Sequence, residues 1–156
     1  MSEEKKFVVP AHSRTQEQSD VLKRIEKSHE CPFCEKNLLK EHKRPIIKTG
    51  KHWILTLNQW PYNGTQYHFL LIARKHVEKI QEIVPIGAGD ELLQLVSFLE
   101  VAFSLTSGSL CIRFGDPHLN GGTIHHLHAH IIVPHHPDSP KFEEVRFRIS
   151  AKNNPR

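Results

Sequence analysis

Three histidines stand at alternate positions, His126, His128 and His130, inside the apolar run HLHAHII. Imidazole serves near neutral pH as metal ligand, general acid or base, and nucleophile. Side chains on a strand repeat every second residue, so a strand here puts the three rings on one face. Leu127, Ala129 and Ile131 then point the other way. Buried imidazoles need hydrogen-bond partners or a metal. The run by itself admits a His-rich polar face, a three-histidine metal site or a catalytic cluster. The second chemical signal is Cys31-Pro32-Phe33-Cys34, a spacing used for redox exchange or for metal binding. The chain has 3 cysteines, an odd count that includes this pair. In a cytoplasmic chain that favours metal or redox chemistry over a disulfide framework. Cys111 lies in an apolar stretch and reads as an inert core thiol.

These residues need elements to position them. Thr15 to His29 is polar, with Val21, Leu22 and Ile25 as a short stripe, and predicts a peripheral N-terminal helix. Short strands are predicted at 44–48 and 52–57, around the turn Thr49-Gly50-Lys51, and at 67–73 after the turn-rich Pro61-Tyr62-Asn63-Gly64. Asp90 to Leu105 repeats apolar residues at 92, 95, 96, 99, 102 and 103, the period of the one main helix. Leu110 to Phe114 and Ile124 to Val133 read as strands around the loop Gly115 to Gly122. Val145 to Ile149 alternates and reads as a last edge strand. The pattern predicts an α+β domain on a mostly antiparallel sheet of about five strands. The expected organisation is a flexible N-terminus over 1–14, a single domain over 15–150 and a flexible C-terminus over 151–156.

The 156 residues suit one compact core, and 38% hydrophobic with 24% charged residues suits a globular chain rather than a disordered one. No run approaches a membrane span, and the N-terminus has no apolar stretch of a secretory signal. The expected location is cytoplasmic. Net charge is +4, spread without a block, which weakly favours a phosphate-bearing small molecule and gives no stripe for nucleic acid. The 13 histidines are the outlier.

The run HLHAHII resembles the His-φ-His-φ-His-φ-φ signature of the histidine triad (HIT) superfamily of nucleotide hydrolases and transferases. Gly121-Gly122-Thr123 is similar to the loop that this family places just before its triad. Upstream, Leu57-Asn58-Gln59-Trp60-Pro61-Tyr62, followed by His68-Phe69-Leu70-Leu71-Ile72-Ala73-Arg74-Lys75-His76, resembles the family's Asn/Asp-x-x-Pro and Gly-His-φ-φ-φ-Ile-Pro-Lys-x-His segment. The resemblance spans roughly 31–134.

The resemblance implies a HIT-like fold and a nucleotide substrate, with His128 as the nucleophile on the α-phosphate and a covalent nucleotidyl-histidine. His130 and His68 would stabilise the developing charge, as cations or N–H donors. The amides of Gly121 and Gly122 and the Thr123 hydroxyl would cradle phosphate, and Asn58 would bond the ribose. It also implies one structural Zn²⁺ per chain on Cys31, Cys34, His76 and His126, and a homodimer. A thioredoxin-like reading of the CxxC needs a βαβ unit that this pattern lacks.

The chain also departs from the family. Tyr67, Ala73 and Arg74 stand where glycine, proline and lysine are usual. Gly122 replaces a common glutamine, and the two-glycine form resembles the dinucleoside polyphosphate phosphorylase-like branch. That branch continues with Pro-Arg-Trp, where this chain has Val133-Pro134-His135-His136. Gly115 stands about eleven residues before the triad, where Asn or Gln is usual. These departures leave base, phosphate number and acceptor open. The rival classes are a non-enzymatic nucleotide-binding module and a zinc-dependent interaction domain.

Overall fold

The structure is a computed structural model and describes residues 5–152. Its elements in chain order are α1 (Gln16–Ser28), α2 (Glu35–Glu41), β1 (Ile46–Thr49), β2 (Trp53–Leu57), β3 (Thr65–Ala73), α3 (Ala88–Ala102), β4 (Ser109–Ile112), α4 (Pro117–Asn120) and β5 (His128–Pro134), with single 3₁₀ turns between some of them. The five strands form one sheet in the order β1-β2-β3-β5-β4, antiparallel throughout. The α+β class and the strand number agree with the expectation from the pattern.

The two faces of the sheet do different work. Trp53, Leu55, Phe69, Leu71, Ala129, Ile131 and Val133 share the face covered by α3, whose Leu92, Leu95 and Leu99 complete the main core. Each such leucine contributes about 1.5–3 kcal/mol by leaving water. The Trp53 indole also donates to the carbonyl of Ala88 at 2.7 Å, which pins the start of α3 to the sheet. The opposite face carries Ile54, Leu70 and Ile72 against Phe33 and Leu38. Thr56, His68, His128 and His130 are buried polar residues of β2, β3 and β5. Register puts His128 across from Ile72 and His130 across from Leu70, so both rings lie on this second face.

Several expectations are corrected. The main helix spans 88–102 rather than 90–105. Strand β5 begins at His128, not Ile124, so only two of the three alternate histidines belong to it. His126 precedes the strand, where its ring nitrogen is bonded to the carbonyl of Ala73. The segment 145–149 joins no ladder. It crosses the second face as a strap, because Phe147 finds aromatic and cationic partners there rather than a strand edge. Of the N-terminal stretch over 1–14, residues 1–4 lie outside the described residues. Val8 bridges to Ile124 and packs with Leu22 and Ile25 of α1. Of the expected C-terminal tail, 153–156 lie outside the described residues, while Ala151 donates its amide to Leu119 at 2.9 Å.

Helix α1 falls where its stripe predicts. Thr15 caps it by accepting from the amide of Gln18 at 3.1 Å, a bond worth about 1 kcal/mol. Helix α2 has no counterpart in the sequence reading. It buries Leu38 while Leu39 is exposed, so no periodic stripe marks it.

Candidate active site and metal centre

Two constellations share the second face. The first joins the knuckle 31–34, the end of β3 and the entrance to β5. Cys31 Sγ lies 3.3 Å from His126 Nδ1, and Cys34 Sγ lies 3.4 Å from His76 Nδ1 and 4.0 Å from His126 Nδ1. The two Nδ1 atoms are 3.2 Å apart. A tetrahedron with metal–nitrogen bonds of about 2.0 Å and metal–sulfur bonds of about 2.3 Å has edges of roughly 3.3–3.8 Å. The four donor atoms all lie within 4.8 Å of one another, close to those edges. The outer nitrogens are held as such a site requires. His126 Nε2 donates to the Ala73 carbonyl at 2.6 Å, and His76 Nε2 faces the Glu78 carboxylate at 3.3 Å. Each bond puts the proton outside and turns a bare Nδ1 inward. Two unprotonated nitrogens 3.2 Å apart repel unless a cation sits between them. Burial pushes the Cys31 thiol up to about 12, helped by the charge of Cys34, so a Cys31 thiolate here calls for a cation beside it. The sequence-derived set Cys31, Cys34, His76 and His126 is therefore one cluster in space.

The second constellation lines a cavity of about 330 Å³. His128 Nδ1 donates to the carbonyl of His126 at 2.6 Å. That bond fixes the tautomer and leaves the Nε2 lone pair free on the cavity side. Burial holds His128 down to about 4, against the smaller raising effect of that carbonyl and a further lowering by Arg113. The ring is neutral at pH 7. The ring of Phe33, carried by the metal knuckle, meets the His128 ring at right angles, with 5.0 Å between centroids.

The partner rings form a relay whose tautomers follow from one obligatory donor. The amide of Tyr62 donates to His68 Nδ1 at 3.2 Å. His68 Nε2 then carries the proton and donates to His130 Nδ1 at 2.8 Å. His130 Nε2 must in turn carry a proton, directed at the cavity. Burial lowers His68 to about 3, helped by Arg14, His128 and Arg113, and burial also holds His130 well below the ordinary imidazole value. Both rings are neutral donors here, not cations. Asn58 lines the same cavity. Its carboxamide oxygen accepts from the amide of Trp60 at 2.9 Å, and its nitrogen lies 3.1 Å from His68 Nε2.

The glycine loop does something other than expected. Gly121 donates its amide to Pro117 at 3.1 Å, and the Gly122 amide goes to the Asn120 side chain at 2.9 Å. Neither amide is free for a phosphate. A side chain at Gly121, where φ is 77°, would strike the carbonyl of Ser150, so this glycine makes room for the strap. Gly121 and Thr123 both border the cavity.

What the sequence reading missed are the cations. Arg14, Arg113, Arg146 and Arg148 line the cavity and no Asp or Glu does; Arg146 pairs with Glu144, and none of the other three pairs with a carboxylate among the described residues. Burial and the neighbouring guanidiniums of Arg113 and Arg148 lower Arg14. Their signal was faint, because 99 residues of sequence separate Arg14 from Arg113. A cavity lined by imidazole and guanidinium and by no carboxylate favours an anion.

Among solved structures, the chain is similar to a HIT family hydrolase from Clostridium thermocellum, at 21% identity and a TM-score of 0.55, over 71% of this chain and 95% of that one. The chain has the histidine triad fold. It is also similar to a histidine triad protein from Clostridium difficile, at 19% identity and a TM-score of 0.54, over 70% of this chain and 95% of that one. A zinc-bound histidine triad family protein from Mycobacterium smegmatis matches at 18% identity and a TM-score of 0.54, over 80% of this chain and 86% of that one. The sequence matches no protein-family model and no curated protein. No helix among the described residues is long and apolar enough to cross a membrane.

Proposed function

We propose that this histidine triad chain is a nucleotide hydrolase or nucleotidyltransferase that works through a covalent intermediate on His128. One observation carries the reading. The His126 carbonyl takes the Nδ1 proton of His128, and this leaves a neutral, directed Nε2 lone pair on a carboxylate-free cavity. A histidine kept for packing alone has no need of that arrangement.

In the first step His128 Nε2 attacks the α-phosphorus of an adenine nucleotide. The N–P bond forms as the bond from phosphorus to the leaving group breaks, and the leaving group departs with that electron pair. His130 donates its Nε2–H to the charge that develops on the phosphoryl oxygens, and His68 supports it by donating to His130 Nδ1. Water or orthophosphate then attacks phosphorus, gives up a proton, and displaces the His128 nitrogen with its electron pair. Two displacements replace one difficult step. Dinucleoside polyphosphates and nucleoside phosphoramidates both meet the requirement of an α-phosphate with a leaving group. Asn58 and Thr123 border the space for ribose and phosphate.

The Cys31, Cys34, His76 and His126 set holds one structural zinc in this reading. Four protein donors leave no open position for water, so the ion braces and does not react. The zinc-bound neighbour of the same fold supports this assignment. The protein acts as a homodimer, a reading supported by the apolar residues that α3 leaves in solvent.

The test is product analysis by mass spectrometry. Purified protein and His128→Ala are each offered dinucleoside polyphosphates and adenosine phosphoramidate, with and without orthophosphate. Cleavage by the wild type and none by the variant is the expected result. A nucleoside diphosphate formed only with orthophosphate makes it a phosphorylase, and a monophosphate without it makes it a hydrolase. Undiminished cleavage by His128→Ala removes this nucleophile. A wild type that binds nucleotide and cleaves nothing is a binding module.

A further inference from the structure

We infer that Arg113 is a catalytic residue of this site, and that the strap Val145–Ser150 is the device that holds it in place. The inference rests on the nucleotide reading above and adds residues that neither the triad motif nor the glycine loop contains.

Arg113 follows directly on β4, and its guanidinium enters the cavity. Nε and Nη2 both donate to the main-chain carbonyl of Arg148, at 3.1 Å and 2.5 Å, and Nη2 also reaches Tyr62 Oη at 3.3 Å. The guanidinium lies 3.9 Å from the centroid of the Phe147 ring. The strap thus satisfies two of the three nitrogens and covers one face of the group. Nη1 is left over. Its nearest partner is His130 Nε2, at 3.4 Å.

That contact is not a hydrogen bond in the neutral relay. Arginine has no acceptor, and the bond from the Tyr62 amide leaves the His130 proton on Nε2. Two N–H donors therefore face one space. A negatively charged oxygen bonded by both satisfies the pair. No carboxylate lines the cavity, so the oxygen must arrive with a ligand. His130 is one strand step from His128, with ring centroids 5.0 Å apart, so the slot adjoins the nucleophile. The matching ligand is a phosphoryl group whose phosphorus lies at His128 Nε2 and one of whose oxygens lies between Arg113 and His130.

The strap makes this geometry rigid. Phe147 meets the His130 ring at 5.3 Å and the Tyr62 ring at 5.8 Å, so one side chain packs on both donors' supports. Glycines make room for the strap and for the chain leading into it, since a side chain at Gly121 would strike Ser150 and one at Gly64 would strike Glu143. A guanidinium already fixed by a carbonyl fork and a ring loses little freedom when the anion binds, which a flexible lysine would not match. Arg113 is catalytic in that it touches the phosphoryl group. Phe147 and the Arg148 carbonyl are positioning groups.

Binding by the full chain tests this, with AMP, adenosine and orthophosphate as probes. Calorimetry gives affinities, and NMR follows the Arg113 Nε–H and His130 ring signals. Orthophosphate and AMP are expected to move both signals in the wild type. Arg113→Ala is expected to weaken AMP by about tenfold or more, the scale of one lost charged hydrogen bond, with adenosine unchanged. Arg113→Lys should not restore it. Phe147→Ala should reproduce most of the loss and Phe147→Tyr should recover it, with metal content and melting temperature unaltered. An AMP affinity that is the same in Arg113→Ala as in the wild type overturns the inference. So does an Arg113 signal that neither anion moves. Orthophosphate shifts without binding of AMP or adenosine would sink the nucleotide reading and leave the anion slot standing.

Discussion

At the scale of single residues, the site is built from imidazoles that burial keeps neutral. A buried imidazolium loses hydration, so His128 falls from an ordinary 6.5 to about 4. The sign matters for the chemistry. A lowered value means that His128, the proposed nucleophile, is already unprotonated at pH 7 and stays so until the pH approaches 4. The acid limb of a kcat/KM profile is therefore expected near pH 4–5, not at 6.5. The measurement uses a dinucleoside polyphosphate whose own groups do not titrate in that window. An acid limb centred at 6.5 would mean a solvated histidine, and His128 would no longer qualify. The same burial decides how His130 and His68 act. They offer N–H donors, and the fixed positive charge comes from arginine. The triad spacing made the histidines legible. The arginines were not, because guanidiniums at 14, 113 and 148 become neighbours only when the chain closes over the second face.

At the scale of elements, the metal cluster ties three pieces together. The knuckle 31–34 lies before the sheet, His76 follows β3, and His126 precedes β5. Asn37 of α2 braces the knuckle by donating to the carbonyl of Cys31 at 3.0 Å. The knuckle also delivers Phe33 to the ring of His128. Loss of the metal should therefore lower stability and loosen the nucleophile together. Cys34→Ser, or a strong chelator on the wild type, is expected to remove zinc and lower Tm by roughly 10 °C, about 3–4 kcal/mol for a chain of this length. Metal analysis and a thermal melt read both quantities. A metal-free variant that melts with the wild type would refute the structural assignment. The strands and both longer helices were legible from apolar periodicity. Helix α2 and the strap were not. Seven residues with one buried leucine carry no period, and the alternation of 145–149 is the same whether the segment pairs with a strand or lies across a cavity.

At the scale of the whole molecule, one sheet separates two kinds of burial. Its α3 face is a hydrocarbon core, and its other face is a polar, cation-lined site. Helix α3 leaves Leu93 60% and Val101 79% exposed, and the edge strand β4 leaves Leu110 41% exposed. Large apolar residues in solvent on a helix and beside a free sheet edge suit pairing with a second copy. Sedimentation of the 18.0 kDa chain should give twice the monomer mass. Val101→Asp is expected to shift it to monomer at equal concentration, since a buried unpaired charge costs several kcal/mol. A wild type that sediments as a monomer at every concentration refutes the dimer.

The sequence alone determined the α+β class, the main helix and the five strands of the sheet, and the triad resemblance pointed to the cysteines and histidines that the fold gathers on one face. The elements depend on local period, which the sequence preserves. Only the tertiary structure decided which carbonyl orients His128, that the loop amides of Gly121 and Gly122 are already bonded, and that Arg113 is fixed by a distant strap. Hydrogen-bond partners and charge neighbours are set by where the chain returns in space, and separation along the sequence carries no record of it.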